Sequence, residues 1–204
     1  MSEYFNESAK DWDKKQRRVE NAQKIATAIK NRIPLSSNQK ILDFGTGTGL
    51  LAWEIAPSVE YILGVDTSEE MLKLFSAKDW PCKIDILNID LSKNKPNDTF
   101  DGIISSMTLH HVENIKAYFT TFHKTLKKGG FLALADLETE DGSFHTSGNQ
   151  GVYHLGFSQN LIKTALEAVG FDNITFDIAN VIEKEMEGGD KKQFPIFLVT
   201  ARKV

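Results

Sequence analysis

The chain has one cysteine, Cys82, among its 204 residues. A single thiol can close no disulfide within the chain and can build no cluster of thiolate metal ligands. The spacing of the five histidines does not form a metal-binding pattern either. The sequence therefore predicts a protein of a reducing compartment, the cytoplasm, whose site holds no metal.

Long apolar runs and clustered basic residues are also missing. No stretch approaches the roughly 20 apolar residues of a membrane-spanning helix, and the N-terminal sequence MSEYFNESAKDWDKKQRR lacks the apolar core of a secretory signal. The net charge of −4 argues against a nucleic-acid or membrane surface, which would need many Lys and Arg on one face. We therefore expect a soluble, unprocessed chain that binds neither nucleic acid nor membrane.

The composition is that of a globular protein, with 41% hydrophobic and 25% charged residues. From Lys40 onward, short apolar runs typical of buried strands alternate with segments whose apolar residues recur every three or four positions. These runs are KILDFG, YILGVD, KIDILNID, DGIISSM and GGFLALADL. Strand and helix in regular alternation predict right-handed crossovers, and hence a parallel sheet with helices on both faces.

The two ends of the chain depart from this alternation. Two strand-like runs near the C-terminus, FDNITFDIANVI and FPIFLVTARKV, have no helix between them and should pair as an antiparallel hairpin. The charged, glycine-bearing residues 183–193 are predicted to be its mobile loop. Residues 1–36 are predicted to form a helical cap or lid on one compact domain. The expected fold is α/β, a Rossmann-like doubly wound sheet of seven strands, mostly parallel with an antiparallel C-terminal strand.

The glycine-rich stretch LDFGTGTGLL lies where the first strand gives way to a helix. Gly45, Gly47 and Gly49 permit positive φ angles and let backbone amides approach a ligand at a helix N-terminus. Asp66 follows the second strand about twenty residues later, where a carboxylate can accept hydrogen bonds from both hydroxyls of a ribose. This pair predicts a site for an adenosine-containing ligand. The structural alternatives are a turn needed only for packing and a helix-capping role for Asp66.

The spacing of the glycines separates two classes of cofactor. Dinucleotide-binding enzymes carry G-x-G-x-x-G, whose third glycine allows close packing of the helix. Here that position is Leu50, and Asp43 at the strand end would repel a pyrophosphate but suit a cationic ligand. With GVDTSEEML, ILNIDLS, SSMTLHHV and LKKGGFLALADL, the stretch 41–137 resembles the small-molecule class I S-adenosylmethionine-dependent methyltransferases. The resemblance implies that residues 37–204 are the methyltransferase domain.

The same resemblance implies S-adenosylmethionine as cofactor and S-adenosylhomocysteine as its product. The glycine loop with Asp43 would surround the amino-acid part of the cofactor, Asp66 would bind its ribose, and Asp90 would accept the amino group of its adenine. Ser106 and Met107 would face the sulfonium. A turn acid at Asp90 and a plain strand end at Ser106 are the structural alternatives. The implied cofactor residues are Asp43, Gly45, Thr46, Gly47, Gly49, Asp66, Thr67, Met71, Ile89, Asp90, Leu91, Ser106 and Met107.

Methyl transfer from a sulfonium needs an aligned acceptor, exclusion of water and, for some acceptors, a base. Histidines are the natural candidates for that base, and the sequence offers His110, His111, His145 and His154. The last two belong to the stretch 136–158, which is expected to form a lid over the acceptor. Ordering of loops is the alternative role, so the sequence leaves the base unassigned.

Tyr4, Phe5 and Trp12 are candidates for lid aromatics over the cofactor, or for anchors of the first helix. The acceptor is narrowed by what is absent. Enzymes that methylate amino groups of nucleic-acid bases carry the motif [DNS]-P-P-[YFW] after the fourth strand, where this chain has SSMTLHHV. Arsenic methylation of the familiar kind needs several cysteines, and this chain has one. A small-molecule acceptor is therefore expected, with a peptide or protein acceptor as the alternative. The oligomeric state, monomer or homodimer, is left open.

Three functions stay open at this point. The leading one is an S-adenosylmethionine-dependent methyltransferase that acts by in-line displacement. A methyltransferase-like subunit that binds cofactor or a partner without turnover would need the same turn. A nicotinamide-dependent oxidoreductase rests on the shared strand-helix-strand fold alone and is disfavoured by Leu50.

Overall fold

The computed structural model of the chain describes residues 2–145, 151–186 and 188–204. The helices are α1 (Ser2–Ser8), α2 (Gln16–Arg32), α3 (Leu50–Ile55), α4 (Glu69–Ser76), α5 (Ile115–Thr125) and α6 (Gln159–Glu167). The strands are β1 (Lys40–Phe44), β2 (Tyr61–Asp66), β3 (Lys83–Asn88), β4 (Phe100–Ser106), β5 (Leu126–Leu137), β6 (Phe171–Glu185) and β7 (Lys191–Lys203). Within these ranges, no helix is both long enough and apolar enough to cross a membrane.

The seven strands form one sheet in the order β3-β2-β1-β4-β5-β7-β6. Strands β1 to β5 pair in parallel, while β7 is antiparallel to both β5 and β6. The predicted doubly wound sheet with an antiparallel C-terminal strand is thereby confirmed. The chain proceeds from β1 outward to β3 and then returns to β4 on the other side of β1. This reversal opens a crevice at the carboxyl ends of β1 and β4, the usual place for a ligand in such sheets.

Alternation of side chains along the strands divides the apolar core between the two faces of the sheet. One cluster joins Ile41 of β1 to Ile25 of α2 and Ile55 of α3. The other joins Leu42 of β1 to Phe122 of α5. Because both faces are covered, the central strands are apolar almost throughout, which is why they were recognisable as short apolar runs.

The C-terminal hairpin has a shorter connection than the sequence suggested. Strands β6 and β7 pair as far as Glu185 and Lys191, so residues 186–190 connect them instead of 183–193. Charged residues belong to the strands here because ion pairs form across them: Glu185 is directly opposite Lys191, and Nζ of Lys191 lies 2.7 Å from the carboxylate of Glu183 on the diagonal. The extent of the predicted loop was therefore wrong.

The N-terminal segment, residues 2–36, is bound to the glycine-rich turn and to the start of α4. Asn6 accepts a hydrogen bond from the Ser68 hydroxyl at 2.6 Å. Asp13 accepts one from the Thr48 hydroxyl at 2.5 Å. Helix α2 packs against α3 in the core. The segment therefore contacts the elements that the sequence marks as ligand-binding, while its role as a separate cap of residues 1–36 on a 37–204 domain stays a prediction.

Substitution of Gly49 should reveal a packing role. Its φ is +84°, and an added Cβ would lie 2.6 Å from Cδ2 of Phe75 and 2.8 Å from the ring of Trp80. We expect Gly49→Ala to lower the free energy of unfolding by roughly 2–4 kcal/mol, since left-handed backbone strain and overpacking add. Gly129 has a φ of +75° and, within the described chain, nothing within 4 Å of an added Cβ. Gly129→Ala should cost only about 1–2 kcal/mol.

Urea unfolding of the two variants beside the wild type measures this difference. Equal losses would show that the backbone conformation, and not the contact with Phe75, decides the need for glycine at position 49.

Candidate active site

A cavity of about 530 Å³ lies at the carboxyl ends of the central strands. It is lined by the predicted residues Asp43, Gly45, Thr46, Gly47, Asp66, Thr67, Met71, Ile89, Asp90, Leu91, Ser106 and Met107. Gly49, the remaining predicted residue, does not line the cavity and packs towards Phe75 and Trp80 instead. The fold thus gathers nearly all of the predicted cofactor residues, whose individual roles stay predictions.

The glycine-rich turn is fixed to the end of β2 by short hydrogen bonds. The amide of Gly45 donates to the carbonyl of Val65 at 2.8 Å. The amide of Gly47 donates to Oδ2 of Asp66 at 2.8 Å, and that of Ser68 donates to Oδ1 at 2.9 Å. A carboxylate oxygen can accept more than one hydrogen bond. Asp66 therefore orders the turn and the start of α4 while it keeps capacity for a ligand hydroxyl.

Asp43 is buried beside the same turn, with 2% of its surface exposed. Its Oδ2 accepts a hydrogen bond from the Thr46 hydroxyl at 2.6 Å. Burial raises the pKa of Asp43 to about 7; the charge of Asp66 adds to the rise and the Thr46 hydrogen bond opposes it. Burial also raises the pKa of Asp66, against its backbone hydrogen bonds. A cation placed here would favour the ionised acids, so the site suits an ammonium or sulfonium group.

Asp90 follows β3 and is held in a fixed position. Its Oδ1 accepts hydrogen bonds from the Ser92 hydroxyl at 2.6 Å and the Tyr118 hydroxyl at 2.8 Å. Nζ of Lys93 lies 3.1 Å from Oδ2. Burial acts to raise the pKa of Asp90, but these partners outweigh it and lower the pKa to about 2. The side chain is therefore ionised and orders its own turn, and Oδ2 is the oxygen with more capacity for a ligand amine.

Several residues outside the implied cofactor set also line the cavity. Phe5 and Trp12, two of the three candidate lid aromatics, line it, whereas Tyr4 is 49% exposed and lies outside it. Arg18 of α2 contributes as well, with its guanidinium 3.4 Å from the centre of the Trp12 ring. Tyr118 of α5 was missed by sequence reasoning because its helical spacing is the same as that of the core aromatics beside it.

The candidate histidines lie near the cavity, but only His111 lines it. His110 is buried behind it, with Nδ1 2.6 Å from Oδ1 of Asp136 and its amide donating to Oδ2. Nε2 of His154 lies 3.0 Å from the carbonyl of Val112, so its ring is engaged in ordering a loop. Residues 146–150 of the predicted lid lie outside the described residues.

His111 and His145 have neutral rings at neutral pH. Burial lowers the pKa of His111 to about 4, helped by His110. Burial lowers the pKa of His145 to about 4 as well, helped by His110 and Lys184. A base with so low a pKa accepts a proton poorly near pH 7. The position of His111 thus suits contact with a ligand better than storage of a proton.

Comparison with known proteins places the chain in a family. The model of a family described as "Methyltransferase domain" matches residues 14–176, about four fifths of the chain. The chain belongs to this methyltransferase family. The chain is 30% identical over 166 residues to an uncharacterized methyltransferase of Schizosaccharomyces pombe, covering 72% of the chain and 57% of that protein.

A second relative has a named reaction. Phosphoethanolamine N-methyltransferase 3 of Arabidopsis thaliana is 27% identical over 173 residues, covering 79% of the chain and 35% of that protein. The chain thus spans little more than half the length of the yeast relative and about a third of the plant relative. A solved structure of Haemonchus contortus phosphoethanolamine N-methyltransferase 2, in complex with phosphomonomethylethanolamine and S-adenosylhomocysteine, superposes with a TM-score of 0.68 at 17% identity. It covers 87% of this chain and 52% of that one, and it shows the shared fold.

Replacement of Asp43 should change how stability depends on pH. Its pKa is about 7 when folded and about 3.9 when unfolded, so the ligand-free wild type loses stability as pH rises from about 4 through 7. Asparagine cannot ionise. The stability of Asp43→Asn relative to the wild type should therefore rise by roughly 1–3 kcal/mol between pH 5 and pH 8.

Urea unfolding at the two pH values tests this expectation. Asp85→Asn removes an exposed carboxylate of β3 that lies outside the cavity and serves as the control. A gap between Asp43→Asn and the wild type that stays constant from pH 5 to pH 8 would contradict the expectation.

Proposed function

We propose that the chain is an S-adenosylmethionine-dependent methyltransferase that transfers the methyl group to a small-molecule acceptor. The observation that carries this proposal is one cavity in which three carboxylates, Asp43, Asp66 and Asp90, meet a glycine-rich turn. Membership of the methyltransferase family supports the reaction class. The fold it shares with an S-adenosylhomocysteine complex supports the cofactor.

The chemistry of each carboxylate matches one part of that cofactor. Asp43 suits the cationic amino-acid end because burial makes its charge costly until a cation compensates it. Asp66 has lone pairs for the ribose hydroxyls at the edge of the turn. Asp90 can accept from the adenine amine, with Ile89 and Leu91 as apolar neighbours of the ring.

The remaining task of the protein is to align the acceptor and exclude water. The cofactor supplies an electrophilic methyl group, which an acceptor lone pair attacks in line as the bond to sulfur breaks and a neutral thioether leaves. Met107 and His111 line the part of the cavity after β4, while Phe5 and Trp12 supply an apolar wall. Ligand cavities commonly span about 300–1,000 Å³. At about 530 Å³, this cavity lies within that range, which supports a small acceptor beside the cofactor.

Isothermal titration with S-adenosylmethionine, S-adenosylhomocysteine and a reduced nicotinamide dinucleotide tests the cofactor class. Micromolar binding of the two sulfur compounds alone is expected, since Leu50 stands where a dinucleotide site needs glycine. Release of S-adenosylhomocysteine in the presence of an acceptor panel tests turnover. Phosphoethanolamine leads the panel because two of the similar proteins carry its name.

Each other outcome has a defined meaning. Binding of the sulfur ligands without turnover on any acceptor would favour a non-catalytic cofactor-binding subunit. Binding of the dinucleotide alone would overturn the proposal.

Asp66→Asn should weaken binding of S-adenosylhomocysteine by about 1–3 kcal/mol, or roughly 5- to 150-fold, because charge-assisted hydrogen bonds to the ribose and to the Gly47 amide are both weakened. The measurement is isothermal titration, with thermal unfolding as a check on folding. Asp85→Asn, whose carboxylate accepts from the Tyr61 hydroxyl outside the cavity, is the matched control. Equal affinity in the two variants would remove Asp66 from the cofactor site.

A further inference from the structure

Three histidine rings meet beside the cavity although the third is distant from the others in sequence. His110 and His111 form part of a turn after β4, and His145 follows β5. One ring nitrogen of each lies within 4.8 Å of the other two. The ring centroids are 4.0 Å apart for His110 and His111, and 5.1 and 5.7 Å from these to His145.

In each of two histidines of the cluster, one ring nitrogen has a hydrogen-bond partner and the other is left for a ligand. Nδ1 of His110 is bound to Asp136 at 2.6 Å, and Nδ1 of His111 to the carbonyl of Gly151 at 2.9 Å. In each ring Nε2 therefore points elsewhere. Metal-binding histidines are commonly held in this way, with the second nitrogen bonded to a carboxylate or a backbone carbonyl.

His145 supplies an independent observation. Its Nδ1 is buried and has no hydrogen-bond partner among the residues that the structure describes. A buried polar atom without a partner is rare in folded proteins and commonly marks an ion or a water. The orphaned nitrogen belongs to the same cluster as the two oriented rings.

The charges around the cluster include both signs. Burial acts to raise the pKa of Asp136, but its interactions with His110 outweigh burial and hold the pKa below its usual value. This carboxylate is therefore ionised beside the cluster. Lys184 opposes a cation on the His145 side. Its ammonium, however, donates to the carbonyl of Phe144 and interacts with the charge of Glu140. The carboxylate of Asp136 is in direct contact with the His110 ring of the cluster.

We propose that His110, His111 and His145 bind one divalent cation of the Zn²⁺ type. Three imidazole ligands favour Zn²⁺, Co²⁺ or Ni²⁺ over Mg²⁺ and Ca²⁺, which prefer oxygen ligands. With Zn–N distances of about 2.0–2.1 Å, tetrahedral ligand nitrogens lie about 3.4 Å apart, so each nitrogen here needs to move inward by less than about 1 Å. Three protein ligands leave one coordination position open.

That position matters because His111 also lines the cavity. A cation on this ring lies beside the part of the cavity assigned to the acceptor, where it would lower the pKa of a coordinated hydroxyl or thiol. This use of the metal rests on the proposed function, whereas the metal site itself does not.

Titration of chelator-treated full-length protein with Co²⁺, followed by its visible absorption, tests the site. One equivalent should bind with a spectrum typical of tetrahedral nitrogen ligation, and Zn²⁺ should displace it. His111→Ala and His145→Gln should each weaken binding at least about tenfold. His123→Gln is the matched control, since His123 of α5 packs against Phe171 of β6 outside the cluster, and its replacement should leave binding unchanged.

The wild type alone can overturn the proposal, by giving no Co²⁺ spectrum or one that Zn²⁺ does not displace. Retention of full affinity in the double variant His111→Ala with His145→Gln would overturn it as well. Titration of His145→Gln with S-adenosylhomocysteine separates the two proposals, because His145 does not line the cavity. If His145→Gln loses metal binding but keeps cofactor binding, the metal site is supported. If no form of the protein binds the cofactor while the wild type still binds Co²⁺, only the proposed function is contradicted.

Discussion

The placement of two carboxylates, buried Asp43 and half-buried Asp66, beside one glycine-rich turn is the constraint on which the rest of the site depends. Asp66 fixes the turn through the Gly47 amide and the next helix through the Ser68 amide. Asp43 is buried so close to it that the charge of one raises the pKa of the other. Without a cation nearby, the fold therefore tolerates an unfavourable pair in order to keep both acceptors oriented. A ligand with positive charge relieves that cost on binding, which favours it over a neutral ligand of the same shape.

Acids that accept hydrogen bonds from neighbouring turns recur along the carboxyl edge of the parallel sheet. Asp43 stands in β1, Asp66 at the end of β2 and Asp136 near the end of β5, and Asp90 follows β3. Each of these acids accepts hydrogen bonds from a residue in a nearby turn or loop. Parallel strands place these ends at one edge, so three of the acids that order the loops, Asp43, Asp66 and Asp90, also line the cavity between them. Structural and binding roles are consequently compatible here, since a carboxylate can accept several hydrogen bonds.

The sequence predicted those features that depend on neighbouring residues, and it missed those that depend on contacts between residues distant in the chain. The apolar runs of β1 to β5 predicted the sheet because burial on both faces leaves a local signal. The predicted hairpin loop was too long because Glu183 and Lys191, although charged, belong to the strands and form an ion pair across them. Gly49 matched a ligand-binding motif, yet its surroundings are Phe75 and Trp80, which only the tertiary fold brings there. The meeting of His145 with the two histidines after β4 depends on the path of a long loop, for which no periodicity exists.

The surroundings of Asp43 and of His111 in the cavity differ in whether they favour a positive charge. Around Asp43 the acids attract positive charge, which suits the cationic amino-acid end of the proposed cofactor. The ring of His111 has a pKa of about 4, so it cannot hold a proton taken from an acceptor near pH 7. Transfer to an acceptor that is already a free nucleophile needs no such group. An acceptor that must lose a proton needs its pKa lowered by a nearby charge, and a cation held by the proposed histidine site would supply such a charge beside His111.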